Sequence, residues 1–153
     1  MRVAIKQVDA FSEEPFGGNP AGVVLNAEGL DDAAMLGIAR EMNLSETAFV
    51  TPSDVADFRV RFFTPRREVD LCGHATIGTF AALEEEGRLA KDRTTFTQET
   101  GAGVLPVEIQ RQGSRPLFMM NQALPTFREA SSRAEVAALL RVDEDELLDL
   151  PIA

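Results

Sequence analysis

The chain has 153 residues, of which 44% are hydrophobic, and a formal net charge of −10 at pH 7. This length and composition suit a globular protein with its own core. The negative charge argues against nucleic acid and anionic membrane surfaces as partners, because both would repel it. One cysteine permits no internal disulfide, and no segment approaches the roughly 20 apolar residues of a membrane span or the apolar core of a signal peptide. We therefore expect a cytoplasmic protein.

Alternating and continuous apolar runs predict a chain rich in strands. The predicted strands cover residues 1–11, 23–25, 44–51, 57–64, 68–71, 94–98, 103–111 and 116–121. Helices are predicted at residues 31–42, capped by Asp31, and at 74–86, ended by Gly87. Since residues 75–83 are all apolar or small, the second helix has no polar face there and belongs in an interior. This order predicts an α+β fold in which antiparallel strands curl as a barrel around helix 74–86, with helix 31–42 packed outside.

The composition changes towards the end of the chain. Two capping-box patterns, S-x-x-E at 132–135 and D-x-x-E at 143–146, predict two short amphipathic helices. Such helices cannot bury their own apolar faces. We therefore expect a first domain over residues 1–125 and the start of a second domain over residues 126–153.

The segment 14–22 is dense in glycine and proline, and this density predicts a shaped loop around Asn19. Because Pro20 holds the residue before it extended, the Asn19 amide could point at a ligand. A turn between strands explains the same residues without any function. Both interpretations stay open on the residues alone.

A carboxylate, Glu46, stands at the entrance of the strand at 44–51, which otherwise contains apolar and hydroxyl residues. One interpretation makes it a solvated residue at a strand edge, as most glutamates are. The other makes it a general acid/base in an apolar setting. The residue pattern by itself favours the first.

The only cysteine and the only histidine of the chain flank Gly73, where the second helix begins. Backbone N–H groups from about Gly73 to Thr76, together with the helix dipole, suit a carboxylate or another oxyanion. His74 is a candidate donor or proton relay, although a histidine that only packs at a helix start is equally common. Cys72 and His74 make a weak metal pair, because zinc requires a third and a fourth ligand. No metal is expected.

Five segments occur in a specific order: VDAF at 8–11, PFGGNPAGV at 15–23, NLSETAF at 43–49, FTP at 63–65 and DLCGHAT at 70–76. Together they resemble the PhzF-like isomerases of phenazine biosynthesis. The resemblance implies the diaminopimelate-epimerase-like fold, in which two similar halves each wrap antiparallel strands around a central helix. It also implies an enzyme of nearly twice this length, of which the chain supplies the first half and the opening helices of the second.

The resemblance implies a reaction as well as a fold. Glu46 is implied as the general acid/base that shifts a proton on a small, amino-acid-like carboxylate, with His74 as the second catalytic residue. The implied substrate-binding positions are Asn19, Cys72, Gly73 and Ala75. The resemblance implies that neither a metal nor an organic cofactor is needed.

Two alternatives remain. In related epimerases and proline racemases a cysteine at the position of Cys72 supplies a thiol base, and a helix N-terminus would lower the pKa of such a thiol. In the other alternative the chain is a truncated, non-catalytic binding module, because the half that faces Glu46 in the family is missing. We expect a homodimer or a complementing second-half chain as the partner.

Overall fold

The computed structural model describes residues 2–111, 115–122 and 132–148. The chain divides into two compact units, Met1–Gln122 and Ala123–Ala153. The strands of the first unit are β1 (Lys6–Ala10), β2 (Asn19–Val24), β3 (Thr47–Thr51), β4 (Phe58–Phe63), β5 (Glu68–Val69), β6 (Thr95–Thr100), β7 (Gly103–Gln110) and β8 (Leu117–Met120). Its helices are α1 (Asp32–Met42) and α2 (Gly73–Glu85), and the second unit contains α3 (Arg133–Leu140) and a 3₁₀ turn at Glu144–Glu146.

The strands of the first unit form one sheet in the order β1-β2-β3-β4-β6-β7-β8, and β5 pairs with β4 outside this path. Most neighbours are antiparallel, as predicted. The prediction was wrong for β2 with β3 and for β4 with β6, which are parallel. The reason is that α1 lies between β2 and β3 in the chain, and α2 lies between β4 and β6. A crossover through a helix returns the next strand in the same direction.

Helix α2 forms the centre of the first unit and packs against β1, β2, β3 and β8. Its side chains at Ala75, Phe80 and Leu83 are fully buried in the main apolar cluster. Helix α1 covers the other face of the sheet, where Met35 packs in a second cluster with Phe49. The predicted architecture, strands curled around a central helix with the first helix outside, is confirmed.

The N-terminal strand boundaries were predicted incorrectly. β1 begins at Lys6 rather than at residue 1, and β2 begins at Asn19, inside the segment that was predicted to be a loop. Pro20 is tolerated because it lies opposite Asp9 of β1, before β2 starts to pair with β3 at Gly22. A proline therefore takes no N–H group from the ladder on that side.

The two capping boxes of the second unit are both present. Ser132 caps α3 and exchanges hydrogen bonds with Glu135, and the Asp143 N–H donates to the Glu146 carboxylate. The second predicted helix is only the 3₁₀ turn, because Leu147 is extended and ends it. The predicted domain boundary at residue 125 lies outside the described residues. None of the described helices is long and apolar enough to cross a membrane.

Candidate active site

Three side chains that the sequence singled out converge at the beginning of α2. Glu46 immediately precedes β3, Cys72 is the N-cap residue of α2, and His74 lies in its first turn. The His74 Nε2 atom lies 3.5 Å from Oε2 of Glu46, and its Nδ1 atom lies 3.3 Å from Sγ of Cys72. The imidazole therefore has a carboxylate near one ring nitrogen and a thiol near the other.

The position of Glu46 follows from the pairing of β2 with β3. Gly22 of β2 donates its N–H to the Glu46 carbonyl at 3.1 Å. Thr47, the next residue, is fully buried and pairs across the sheet with Phe63. The backbone beneath the carboxylate is thus held on both sides, while the Glu46 side chain keeps 19% of its surface exposed.

Buried hydrogen bonds hold the first turn of α2. The Cys72 carbonyl accepts from the Thr76 N–H at 3.0 Å and from Thr76 Oγ1 at 2.8 Å. Thr76 Oγ1 in turn accepts from Nε2 of the fully buried Gln98. The expectation of free N–H groups from Gly73 through Thr76 was therefore wrong at Thr76, because the helical hydrogen-bond pattern already begins there.

The Cys72 thiol is held in its protonated form. Burial raises its pKa to about 11, and the neighbouring Glu46 carboxylate adds to the increase. The N–H groups of Ala75 and His74 face the sulfur and act in the opposite direction, as expected at a helix N-terminus, but burial outweighs them. A thiol with this pKa is neutral at physiological pH, so it is a hydrogen-bond donor rather than a base.

His74 is buried, with 9% of its side chain exposed, and its Nε2 atom has no hydrogen-bond partner among the described residues. The 3.5 Å contact with Glu46 is too long for a regular hydrogen bond. Buried polar atoms without a partner are rare and costly in folded proteins. An orphaned nitrogen beside a carboxylate is typical of a site that receives a ligand.

A metal ion is a further possibility for the same side chains. Among the described residues, the ligand atoms of Glu46, Cys72 and His74 all lie within 4.8 Å of one another. Glu46 is therefore a third candidate ligand beside Cys72 and His74, and the described residues group no fourth with them. An ion is still disfavoured, because burial raises the pKa of the Cys72 thiol to about 11 and a neutral thiol must lose its proton before it can bind a metal.

The remaining candidate positions differ in their surroundings. A Cβ atom at Gly73 would lie 3.8 Å from both Nε2 of Gln122 and Sδ of Met120, so these two side chains flank the start of α2. The Ala75 side chain is buried in the core, which leaves only its N–H to face the site. Asn19 is exposed at the first residue of β2, and within the described part of the chain its amide forms no hydrogen bond with the other candidates.

Gln122 and Met120 were missed because their local sequence carries no functional signal. Met120 is the last residue of β8 and Gln122 follows it, and the residues of this segment predict a strand and nothing more. The β7–β8 hairpin brings them to α2, and that tertiary relationship cannot be read from spacing.

Two surface grooves of the first unit lie away from this cluster. One is lined by residues that include Lys6 and Arg88, and the other by residues that include Asp54 and Arg59. Neither includes Glu46, Cys72 or His74. The site at the start of α2 is therefore inferred from the contacts and burial of Glu46, Cys72 and His74 themselves.

Comparison with known proteins identifies the family of this chain. The family model described as phenazine biosynthesis-like protein, PhzC-PhzF, matches residues 8–153. The uncharacterized isomerase YfhB of Bacillus subtilis is 40% identical over 150 residues, which cover 97% of this chain and 51% of that protein. The trans-2,3-dihydro-3-hydroxyanthranilate isomerase of Pseudomonas aeruginosa is 38% identical over 135 residues, which cover 87% of this chain and 47% of that protein.

A solved structure matches equally well. The crystal structure of a phenazine biosynthesis protein of the PhzF family from Bacillus anthracis gives a TM-score of 0.83 at 41% identity, over 96% of this chain and 50% of that one. The chain spans about half the length of the curated relatives it matches. Because the family model matches residues 8–153 and a relative is 40% identical over 97% of this chain, the chain belongs to the PhzC-PhzF family of phenazine biosynthesis-like proteins.

Proposed function

We propose that this chain supplies the side of the active site that carries the general acid/base, in an isomerase that moves a proton between carbon atoms of a small, amino-acid-like carboxylate. The observation that carries this proposal is the 3.5 Å approach of the Glu46 carboxylate to the buried Nε2 atom of His74, which has no hydrogen-bond partner among the described residues. The isomerase names of the relatives support it. We take the substrate class from the compound named for the Pseudomonas aeruginosa relative, a cyclic amino carboxylate.

Each residue type has a defined task in such a reaction. The Glu46 carboxylate takes a proton from a substrate carbon, and the C–H electron pair moves into the conjugated system of the substrate. The resulting carboxylic acid then returns the proton to a different carbon, so the reaction needs no oxidant or reductant. His74 donates a hydrogen bond where negative charge develops, and the amino end of α2 favours the substrate carboxylate.

Thiol-based racemisation by Cys72 is the alternative mechanism. A base must be deprotonated to act, and a thiol with a pKa of about 11 is ionised in only about one molecule in ten thousand at neutral pH. The other candidate base of the site is the carboxylate of Glu46. We therefore assign the acid/base role to Glu46 and leave the thiol mechanism as an outcome of the test.

A partner completes the pocket in this proposal. The relatives are about twice as long as this chain, and we propose that either a second copy or a chain carrying the second half supplies the opposite wall. Light scattering of the purified chain, alone and with the second half of a relative, measures which of these forms. A cytoplasmic location stays a prediction.

The test is deuterium incorporation from D₂O into trans-2,3-dihydro-3-hydroxyanthranilate, followed by NMR at the carbon positions. We expect the chain to catalyse exchange and Glu46→Gln to abolish it. Glu41→Gln is the matched control, because Glu41 is exposed at the end of α1. Exchange that survives Glu46→Gln but not Cys72→Ser supports the thiol mechanism instead. Absence of exchange in the unaltered chain, alone and with its partner, supports a non-catalytic binding module.

A further inference from the structure

Cys72 and His74 form a side-chain contact that the acid/base role of Glu46 does not by itself require. The Sγ atom lies 3.3 Å from Nδ1 of the imidazole, whereas Oε2 of Glu46 lies 3.5 Å from the other ring nitrogen, Nε2. A neutral imidazole has one N–H donor and one acceptor nitrogen. The two neighbours of the ring therefore determine which nitrogen carries the proton.

The carboxylate constrains one of the two nitrogens. An ionised carboxylate only accepts hydrogen bonds, so an unprotonated Nε2 facing Oε2 of Glu46 would bring two sets of lone pairs together. The proton is favoured on Nε2 for this reason. Nδ1 must then be the acceptor, and it needs a donor.

The thiol is suited to be that donor. The sulfur faces the N–H groups of His74 and Ala75, which occupy its lone pairs and leave its proton for another acceptor. The Glu46 carboxylate also faces the thiol and competes for this proton. Donation to Glu46 would leave the buried Nδ1 without a partner, whereas donation to Nδ1 satisfies both groups. Burial keeps the thiol protonated, because it raises the pKa of Cys72 to about 11.

We propose that Cys72 is a positioning residue whose S–H group donates to Nδ1 of His74 and thereby fixes the imidazole with its Nε2–H directed at Glu46. Its importance for turnover rests on the proposed function. With the proton on Nε2, the imidazole offers a donor to the carboxylate or to negative charge on the substrate. The opposite tautomer offers only a lone pair there.

The tautomer can be measured without turnover. His74 is the only histidine of the chain, so a long-range ¹H–¹⁵N spectrum of the labelled protein reports on a single imidazole. At a pH where the same spectrum shows the imidazole to be neutral, we expect the Nε2–H pattern in the unaltered chain. Cys72→Ser keeps a donor and should keep this pattern. Cys72→Ala removes the donor and should give a mixture of both tautomers.

Two results would overturn the inference. One is an Nδ1–H pattern in the unaltered chain, and the other is an undisturbed Nε2–H pattern in a folded Cys72→Ala variant. If Cys72→Ala does not fold, the infrared S–H band of the single thiol provides the test instead. We expect that band at a lowered frequency in the unaltered chain and at a higher one in His74→Phe, and equal frequencies would contradict the hydrogen bond.

The readouts also separate the two proposals. If the thiol fixes the tautomer but the chain catalyses no deuterium exchange, the proposed isomerase function is refuted and the proposed hydrogen bond is not. If exchange depends on Glu46 but Cys72→Ala leaves the tautomer undisturbed, only the proposed role of Cys72 is refuted.

Discussion

Gly22 packs so closely on Thr47 that a Cβ atom at Gly22 would lie 2.8 Å from Oγ1 of Thr47. Its N–H also donates to the Glu46 carbonyl. Because every other residue carries a Cβ atom, only glycine permits this approach of β2 to β3. Gly22, the last glycine of the Gly-Asn-Pro-Ala-Gly segment, thus has a structural role beneath the candidate catalytic carboxylate.

Gly22→Ala should destabilise the chain by about 1–3 kcal/mol, because fully buried Thr47 cannot move away without straining the packing around it. The matched control is Gly37→Ala in α1, where an added Cβ would meet no atom of the described residues within 4 Å. That change should stabilise the helix by roughly 0.5–1 kcal/mol. Urea unfolding of both variants measures the difference, and equal midpoints would contradict this description of Gly22.

The buried pair of Thr76 and Gln98 gives a second prediction. Thr76→Val removes the hydroxyl that accepts from Gln98 Nε2, and Gln98 Oε1 already lacks a partner among the described residues. Leaving the whole amide unsatisfied should cost about 1–3 kcal/mol. Adding Gln98→Met should recover part of that loss, since it removes the unsatisfied buried amide. Unfolding free energies of the single and double variants test this, and simple additivity would contradict it.

The carboxylate of Glu84 gives a prediction about pH. Its pair with Arg111, and then its contact with Lys91, lower its pKa to about 2 although burial opposes them. The folded-state pKa is thus below the unfolded value near 4.5, so the stabilisation is complete above that pH and is lost as pH falls towards 2. Glu84→Gln should cost on the order of 2 kcal/mol at neutral pH.

Acid unfolding checks the direction of this effect. The gap in unfolding free energy between the unaltered chain and Glu84→Gln should narrow as the pH falls through the range below 4.5. Glu41→Gln, at an exposed position, should show no such gap. A gap for Glu84→Gln that stays constant with pH would exclude the ion pair as its source.

The sequence identified α2 and the three clustered side chains because their signals are local. An apolar run through residues 75–83 can only be an interior helix, and Cys72 and His74 sit at its start. The parallel pairing of β2 with β3 and the approach of Gln122 to Gly73 could not be predicted in this way. They depend on which strand returns beside which helix, and no residue spacing encodes that choice.

Asn19 is another position where tertiary pairing, which the local sequence does not show, determines the structure. Its neighbours predicted a loop, but cross-strand pairing with Ala10 makes it the first residue of β2. Pairing energy from the whole hairpin overrides the local preference of glycine and proline for turns. A substrate contact by Asn19 stays a prediction, which exchange kinetics of Asn19→Ala can test through a raised KM.

The most direct test of the central claim is the deuterium exchange rate of the chain, with its partner, against that of Glu46→Gln. A general acid/base contributes about 10²–10⁴-fold to rate, so we expect the substitution to lower exchange by at least about 100-fold. Glu41→Gln should leave the rate unchanged. Exchange in Glu46→Gln at the rate of the unaltered chain would show that Glu46 does not move the proton.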